Sequence, residues 1–382
     1  VRRTLVVTND FPPRVGGIQT FLHELARRRP PDCVAVFTSS WAGAEAFDEA
    51  QPFPVHRYAR SVMLPVPSVA RRAEALLHAY SCDSVIFGAA APLGLLAPRL
   101  RAAGADRIIA LTHGHEAGWA GVPGGSPLLH RIGDGVDVVT YLGEYTRARI
   151  AAALSPAAAQ RMARLTPGVD ADLFHPGVDG SAVLERHGLT GRKVVVCVSR
   201  LMPRKGQDVL VAAMPALRSR VPDAALLLVG DGPYRDHLER LVDRLDLRGH
   251  VVLTGKVPAD ELPAHYAAGD VFAMPCRTRN RGLDVEGLGI VYLEASATGL
   301  PVLAGDSGGA PDAVQEGVTG FVVPGKDRAR VADRLSELLL NPRTAAEMGR
   351  AGRDWVERSW RWERVAERLD ALLDVPRLTG PR

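Results

Sequence analysis

The stretch "KVVVCVSRLMPRKGQDVLVAAM" (193–214) decides the fold. Its first part is a continuous apolar, β-branched run, the pattern of a strand covered on both faces. Pro203 and Gly206 break that run, and "QDVLVAAM" then resumes with apolar residues at helical spacing. A fully buried strand, a glycine-bearing loop and a helix make up the first half of a parallel crossover. The rhythm repeats on both sides of it. Upstream runs are "TLVVT" (4–8), "CVAVFTS" (33–39), "SVIFGA" (84–89), "RIIALTH" (107–113) and "VDVVTYL" (136–142). Downstream are "AALLLVGDG" (224–232), "HVVLTG" (250–255), "DVFAMPC" (270–276), "PVLAG" (301–305) and "GFVVP" (320–324).

Between the two sets lies "LTPGVDADLFHPGVDG" (165–180), rich in Pro, Gly and Asp and without helical period. The sequence therefore predicts an α/β protein of two doubly wound, Rossmann-like domains, 1–168 and 177–358, facing across a cleft. The stretch "DWVERSWRWERVAERLDALL" (354–373) reads as an amphipathic helix. In such sheets ligands bind at the carboxyl ends of the strands.

Composition sets the outer limits. The chain has 382 residues, 46% hydrophobic and 24% charged, which suits an ordinary globular protein of two domains. No apolar run is long enough to span a bilayer, and the basic N-terminus continues directly as a strand, so a cytoplasmic chain is expected. Cys33, Cys82, Cys197 and Cys276 fall singly in apolar surroundings and read as reduced, packed thiols. Basic residues number 47 and acidic residues 43. Up to residue 170 there are 18 basic and 14 acidic residues, so the whole net charge of +4 lies in the first half. That excess matters where a surface of this half meets an anion.

The residues that carry chemistry sit at strand ends. "TNDFPPRVGGIQTFLHELA" (8–26) leaves the first strand, passes Gly16 and Gly17, and enters a helix whose amides and dipole suit a phosphate. Arg200 closes the strand of the deciding stretch, and Lys205 precedes Gly206 and a helix, so the two cations form a clamp for a diphosphate. Two further patterns fail as nucleotide motifs. G-x-G-x-x-G is absent, and "GFVVPGKD" (320–327) has an apolar interior and Asp327 where a P-loop needs Ser or Thr. The sequence contains no HExxH and no clustered Cys and His of metal-binding spacing, so no metal cofactor is expected.

"DVEGLGIVYLEA" (284–295) places Glu286 before a glycine-rich segment and Glu294 eight residues later. A helix beginning near Gly287 would leave the amides from Gly287 to Ile290 unpaired, and would set the two carboxylates about 12 Å apart. That span matches a sugar–diphosphate–ribose unit.

Glu286-x7-Glu294, Arg200 with Lys205, Gly16-Gly17 and "THGHE" around His113 together resemble the retaining glycosyltransferases of family 4, which have the two-domain GT-B fold. The resemblance covers essentially the whole chain. Three stretches, "TNDFPPRVGGIQTFL", "LTHGHEAGW" and "GLDVEGLGIVYLEASATGLPVLAGDSGGAPDAV", are more narrowly similar to members that move mannose from GDP-mannose to a phosphatidylinositol mannoside in α-1,6 linkage. The loop "RTRNRG" (277–282) departs from the more glycine-rich segment expected there.

The resemblance implies a role for each matching position. Arg200 and Lys205 bind the donor diphosphate and stabilise the leaving nucleotide. Glu294 holds the ribose and Glu286 the transferred hexose, while Gly287, Leu288, Gly289 and Ile290 supply amides. Val257 lines the guanine pocket, His113 contacts the hexose, Gly16 and Gly17 approach the donor phosphate or the acceptor, and Asp10 faces the acceptor hydroxyl. Of these, His113, Glu286, Arg200 and Lys205 are the catalytic group. A metal is not required, because the leaving phosphate takes the acceptor proton. The last helix, about residues 360–376, crosses back to the first domain.

A phosphoinositol lipid acceptor implies a peripheral enzyme at the inner, anionic face of the plasma membrane, and no nucleic-acid partner. The run Arg27-Arg28-Arg29 and the pair Arg71-Arg72 are candidates for that surface. The pair lies in "VPSVARRAEALLHAYS" (66–81), with Val69, Leu76, Leu77 and Tyr80 available for an apolar side. Other readings of the same residues are a transferase acting on a soluble acceptor, a non-catalytic sugar-nucleotide sensor and a dinucleotide-dependent oxidoreductase.

Overall fold

Alternation of side chains along β1 (Thr4–Thr8) shows how the first unit is built: Leu5 and Val7 face one core, and Val6 faces the other. Burying both faces requires helices on both sides of the sheet. The computed structural model describes residues 1–114, 116, 118 and 124–375. Within them the first sheet contains β1, β2 (Val34–Ser39), β3 (Val55–Tyr58), β4 (Ser84–Phe87), β5 (Arg107–Ala110), β6 (Val138–Tyr141) and β7 (Ala163–Arg164). Its order is β3-β2-β1-β4-β5-β6-β7, and every pairing is parallel. β3 and β7 are absent from the sequence reading. The first is a half-buried edge strand of mixed polarity, and the second is two residues long.

The second sheet contains β8 (Lys193–Val198), β9 (Ala224–Val229), β10 (Val251–Gly255), β11 (Val271–Met274), β12 (Val302–Gly305) and β13 (Gly320–Val323). Its order, β10-β9-β8-β11-β12-β13, repeats the plan of the first, again with all strands parallel. In each sheet the winding reverses once, between β1 and β4 and between β8 and β11. These are the topological switch points, where adjoining crossovers diverge and leave a crevice at the strand ends.

The chain divides into one unit of Val1–Gly168 with the segment from Trp362 onward, and another of Val169–Arg361. The helix Trp362–Asp374 therefore belongs to the first unit, and Pro376, its expected last residue, lies outside the described residues. Its Trp362, Val365, Leu369 and Leu373 complete the core formed by Phe21, Leu22, Ile86 and Ile109. Arg28 stacks on the Trp362 ring with its guanidinium 5.1 Å from the centroid. Arg107 Nε donates to the Leu372 carbonyl at 2.9 Å. Gly168 leaves no room for a side chain, because a Cβ there would lie 2.7 Å from the Trp362 Cα. In the second unit Arg353 donates to the carbonyls of Ala171, Phe174 and Ala297 at 2.7–2.9 Å, fastening the entering segment to the helix Ile290–Ala297.

Two surface expectations are corrected here. In the helix Pro67–Ala79, Val69, Leu76 and Leu77 pack into the sheet core, and Tyr80 bonds His56 at 2.8 Å, so that apolar side is already occupied. Of the arginine run, Arg29 is buried against Asp370 and the Arg2 carbonyl, Arg28 pairs with Glu24, and only Arg27 faces solvent. Cys82, Cys197 and Cys276 are buried and reduced, whereas Cys33 is half-exposed. Burial pushes the Cys82 and Cys276 thiols up to about 11 and the Cys197 thiol up to about 12, so all three stay protonated at neutral pH.

The packing of the last helix is testable by truncating one side chain. Leu369→Ala removes a fully buried leucine and should cost about 2–5 kcal/mol. Arg364→Ala on the exposed side of the same helix should change stability by less than about 0.5 kcal/mol. Urea unfolding of the two variants beside the wild type makes the comparison.

Candidate functional site

The second sheet's switch point gathers most of the sequence-predicted residues. After β8 the chain runs through Arg200, the short turn Pro203–Lys205 and Gly206 into the helix Gln207–Arg218. Gly206 has φ +78°, and a Cβ there would lie 2.0 Å from the Pro275 carbonyl oxygen. Only glycine fits this place, where the loop after β8 is pressed against the loop after β11. The contact is reinforced by the Arg277 amide donating to the Arg204 carbonyl at 2.8 Å and by Arg277 pairing with Asp208 at 2.9 Å.

That apposition brings Lys205 to Glu286, 81 residues away in sequence. Lys205 Nζ donates to Glu286 Oε2 at 2.6 Å, and both side chains are largely buried. Arg204 stands 3.9 Å from the same oxygen and 3.7 Å from Asp284. Arg200 is exposed and has no ion-pair partner among the described residues. The backbone of Glu286 is held on both sides: its amide donates to Ser307 Oγ at 3.3 Å, and its carbonyl accepts from the Gly309 amide at 2.9 Å. Gly308, at φ +57°, permits this approach, since a Cβ there would lie 2.1 Å from the Glu286 oxygen.

The helix after β11 begins at Ile290, not near Gly287. Gly289 precedes it at φ +80° and ψ 69°, a conformation that cannot continue a right-handed helix. Gly287 and Leu288 instead run as non-helical chain beside Gly309, and the Leu288 side chain is buried. Helical rise therefore does not measure the separation of the two glutamates. No acidic residue occupies the helix's first turn, so its unpaired amides and positive dipole end are not offset there.

Glu294 lies inside this helix, half-buried, and accepts from the Tyr266 hydroxyl at 2.6 Å. Surrounding protein pushes its carboxyl above the ordinary carboxylate range, and the Tyr266 hydrogen bond opposes part of that rise. Tyr266 is wholly buried between Phe174 and Phe272. Its role is not readable from the sequence, where it is an ordinary aromatic of the helix Leu262–Ala267. Val257 follows β10 by two residues and is half-buried. The P-loop imitation resolves into β13 followed by Asp327, which caps the helix Arg328–Leu340 by accepting from the Arg330 amide at 3.0 Å.

In the first unit, Asp10 follows β1. It accepts from Gln19 Nε2 at 2.7 Å and from Arg14 at 3.3 Å. Gly16 is extended, Gly17 opens the helix Gly17–Arg27, and a Cβ on Gly16 would strike the Gln19 side chain. His113 lies in the loop after β5. Its Nε2–H donates to the Gly88 carbonyl, and Phe21 meets its ring edge-on at 5.6 Å. Its backbone amide donates to Glu116 Oε2 at 2.9 Å. Glu116 is a buried carboxylate that the sequence reading passed over, although it stands within the quoted "THGHE". His115, Ala117 and Trp119 of "LTHGHEAGW" lie outside the described residues. Of the predicted residues, Asp10, Gly16, Gly17 and His113 thus belong to the first unit, and the donor group from Arg200 to Glu294 to the second.

Two parallel sheets of this order, each with one switch point, have the plan of the GT-B glycosyltransferases. The chain belongs to the glycosyl transferases group 1 family, whose domain residues 184–355 match. It is 52% identical, over 97% of its length and 98% of the relative's, to a GDP-mannose-dependent alpha-(1-6)-phosphatidylinositol monomannoside mannosyltransferase of Mycobacterium tuberculosis. It is 46% identical, over 97% and 98%, to a GDP-mannose-dependent monoacylated alpha-(1-6)-phosphatidylinositol monomannoside mannosyltransferase of Corynebacterium glutamicum. Among solved structures, Anabaena HepE in complex with UDP superposes with a TM-score of 0.81 at 19% identity, covering 97% of this chain and 99% of that one. WaaG, a glycosyltransferase involved in lipopolysaccharide biosynthesis, gives 0.68 at 18% identity, covering 97% and 100%. These two likenesses establish the fold.

The raised Glu294 carboxyl makes a signed prediction about stability. A carboxyl whose folded pKa exceeds its unfolded value stabilises the fold below the unfolded value and loses that contribution as pH rises through the folded one. Ionised Glu294 therefore costs stability at neutral pH, and Glu294→Gln removes the cost. The variant should melt above the wild type at neutral pH, by about 2–4 °C for each kcal/mol recovered. The gap should close as pH falls toward about 4. Thermal melts across that range check the sign.

Proposed function

We infer that this chain is a retaining mannosyltransferase that moves mannose from GDP-mannose to a phosphatidylinositol mannoside lipid in α-1,6 linkage. The observation that carries the reading is the 52% identity, over nearly the full length of both chains, to enzymes of that printed activity. The site geometry is consistent with it and suggests a part for each residue.

In the second unit, Arg200 and Lys205 receive the diphosphate, aided by the amides from Gly287 to Ile290. Val257 borders the guanine, Glu294 accepts from the ribose hydroxyls, and Glu286 accepts from hydroxyls of the mannose. The Tyr266 bond to Glu294 Oε2 supports this by leaving the second carboxylate oxygen to the ribose. In the first unit, His113 contacts the mannose, Asp10 faces the acceptor hydroxyl, and Gly16 and Gly17 admit a phosphate close to their backbone.

Transfer breaks the bond from the mannose anomeric carbon to the phosphate oxygen and forms a bond to the acceptor oxygen on the same face. The phosphate oxygen keeps the electron pair and takes the acceptor proton. Arg200 and Lys205 stabilise the charge that develops there, which is where preorganised cations act most strongly. Protein cations thus do the work that a divalent metal does in other diphosphate sites.

The deciding experiment incubates the purified chain with labelled GDP-mannose, UDP-glucose or UDP-N-acetylglucosamine and extracted phosphatidylinositol mannosides, with and without EDTA. Label should enter lipid from GDP-mannose alone and survive EDTA. A large EDTA loss restored by Mg²⁺ or Mn²⁺ would replace the metal-free mechanism. Lys205→Ala should lower kcat by about 100-fold. Near-wild-type turnover of the folded variant would remove the clamp from the mechanism.

The acceptor lipid also implies a membrane surface. Among the described residues no helix is long and apolar enough to cross a membrane. The helix bearing Arg71 and Arg72 keeps both arginines in solvent, and the segment before it exposes Arg60, Val62, Leu64 and Val66. Asn9 clasps the Met63 backbone at 2.6 and 2.9 Å, tying that segment to the loop of Asp10. Basic residues near an anionic surface contribute about 1 kcal/mol each, so adsorption should be weak and salt-sensitive. Sedimentation should show binding to anionic rather than neutral liposomes, weakened by salt and by replacing Arg71 and Arg72 with Ser. Equal, negligible binding to both, with full turnover on a soluble acceptor, would favour a soluble acceptor instead.

A further inference from the structure

The ion pair between Lys205 and Glu286 joins two groups that the donor needs separately. On the reading above, Lys205 serves the diphosphate and Glu286 the mannose, and without a ligand each occupies the other. Both are anchored at the backbone, so only their side chains can reorient. The Lys205 amide is held by the Met202 carbonyl at 2.9 Å, and Gly206 is wedged against Pro275. Glu286 is fixed by Ser307 and Gly309. Arg204 is no substitute, because at 3.9 Å it is beyond hydrogen-bonding distance and is shared with Asp284. Arg200, by contrast, meets a phosphate without giving up an ion pair.

We propose that the Lys205–Glu286 pair is a lock that distinguishes the intact nucleotide sugar from the bare nucleoside diphosphate and expels the latter after transfer. A diphosphate that recruits Lys205 leaves the Glu286 carboxylate largely buried with its hydrogen bond broken, an arrangement that costs more than the bond itself was worth. A ligand carrying sugar hydroxyls repairs that loss by donating to Glu286. A bare diphosphate cannot. Once the mannose has been transferred, Glu286 has lost its donors from the nucleotide, reclaims Lys205, and the diphosphate is held by Arg200 and the helix amides alone. The same pair thus opposes product inhibition. This proposal rests on the donor assignment above.

Calorimetric titration of the full chain with GDP and with GDP-mannose, in the absence of acceptor, separates the two ideas. Glu286→Gln should bind GDP about tenfold tighter than the wild type, the scale of one charge-assisted hydrogen bond released, and should bind GDP-mannose no tighter than it binds GDP. Removal of negative charge near a phosphate could alone raise affinity, so the control is the Lys205→Met background. There Glu286→Gln should raise GDP affinity by a clearly smaller factor, because only the effect of charge removal remains and no lysine is left to be freed. Unchanged or weaker GDP binding by Glu286→Gln overturns the lock, as does an equal gain in both backgrounds. Wild-type protein that binds neither nucleotide, or Lys205→Met that binds GDP as the wild type does, overturns the donor assignment and the lock with it. A cooperative thermal transition and a wild-type far-UV circular dichroism spectrum for each variant confirm that folded protein is being compared.

Discussion

Parallel strands cannot be joined by tight turns, and that constraint governs both units. Each strand must return over a face of the sheet, and covering both faces obliges the winding to reverse. The reversal between β8 and β11 sends the crossovers that follow them to opposite faces of the sheet, so the strand ends between them stay uncovered by either helix. Functional side chains collect there because that strand end is left open by topology. The first sheet, reversing between β1 and β4, repeats the arrangement with Asp10, Gly16 and Gly17.

At the second reversal the loops approach through backbone more than side chains. Gly206 lies against the Pro275 carbonyl, and Gly308 lies against that of Glu286. Contacts of this kind set the loops against each other through the backbone, so the side chains of Lys205 and Glu286 are not needed to hold them there. Beneath them Tyr292 bonds the Met274 carbonyl at 2.7 Å, and buried, protonated thiols of Cys197 and Cys276 fill the floor. The carboxylates and cations therefore sit on a stiff, largely apolar base, where each ionic contact is less screened than it would be in water.

The strands buried on both faces were legible because their apolar runs have no other soluble use. β3 and β7 were not, since an edge strand with half-buried residues and a two-residue strand carry too little pattern. The residue types of the site were also legible at their strand ends, while their mutual geometry was not. Lys205 and Glu286 meet through loops that glycine alone allows to touch, and Tyr266 reaches Glu294 from another helix. The helix start shifted to Ile290 because Gly289 takes a left-handed conformation, which sequence spacing cannot distinguish from helix. The sequence leaves the apolar side of Pro67–Ala79 open for the converse reason: an amphipathic helix looks the same whether it covers a sheet or a membrane.

The return of Trp362–Asp374 to the first unit makes the second unit an insertion within the first. Synthesis proceeds from the N-terminus, so Val169–Arg361 is complete before Trp362 leaves the ribosome. Until then Phe21, Leu22, Ile86 and Ile109 lack the helix that seals them from water. The unit translated first is thus the last to be finished. For the time needed to make nearly two hundred intervening residues (169–361), its unsealed apolar face is a nascent-chain surface for a chaperone to shield or for a neighbouring copy to capture.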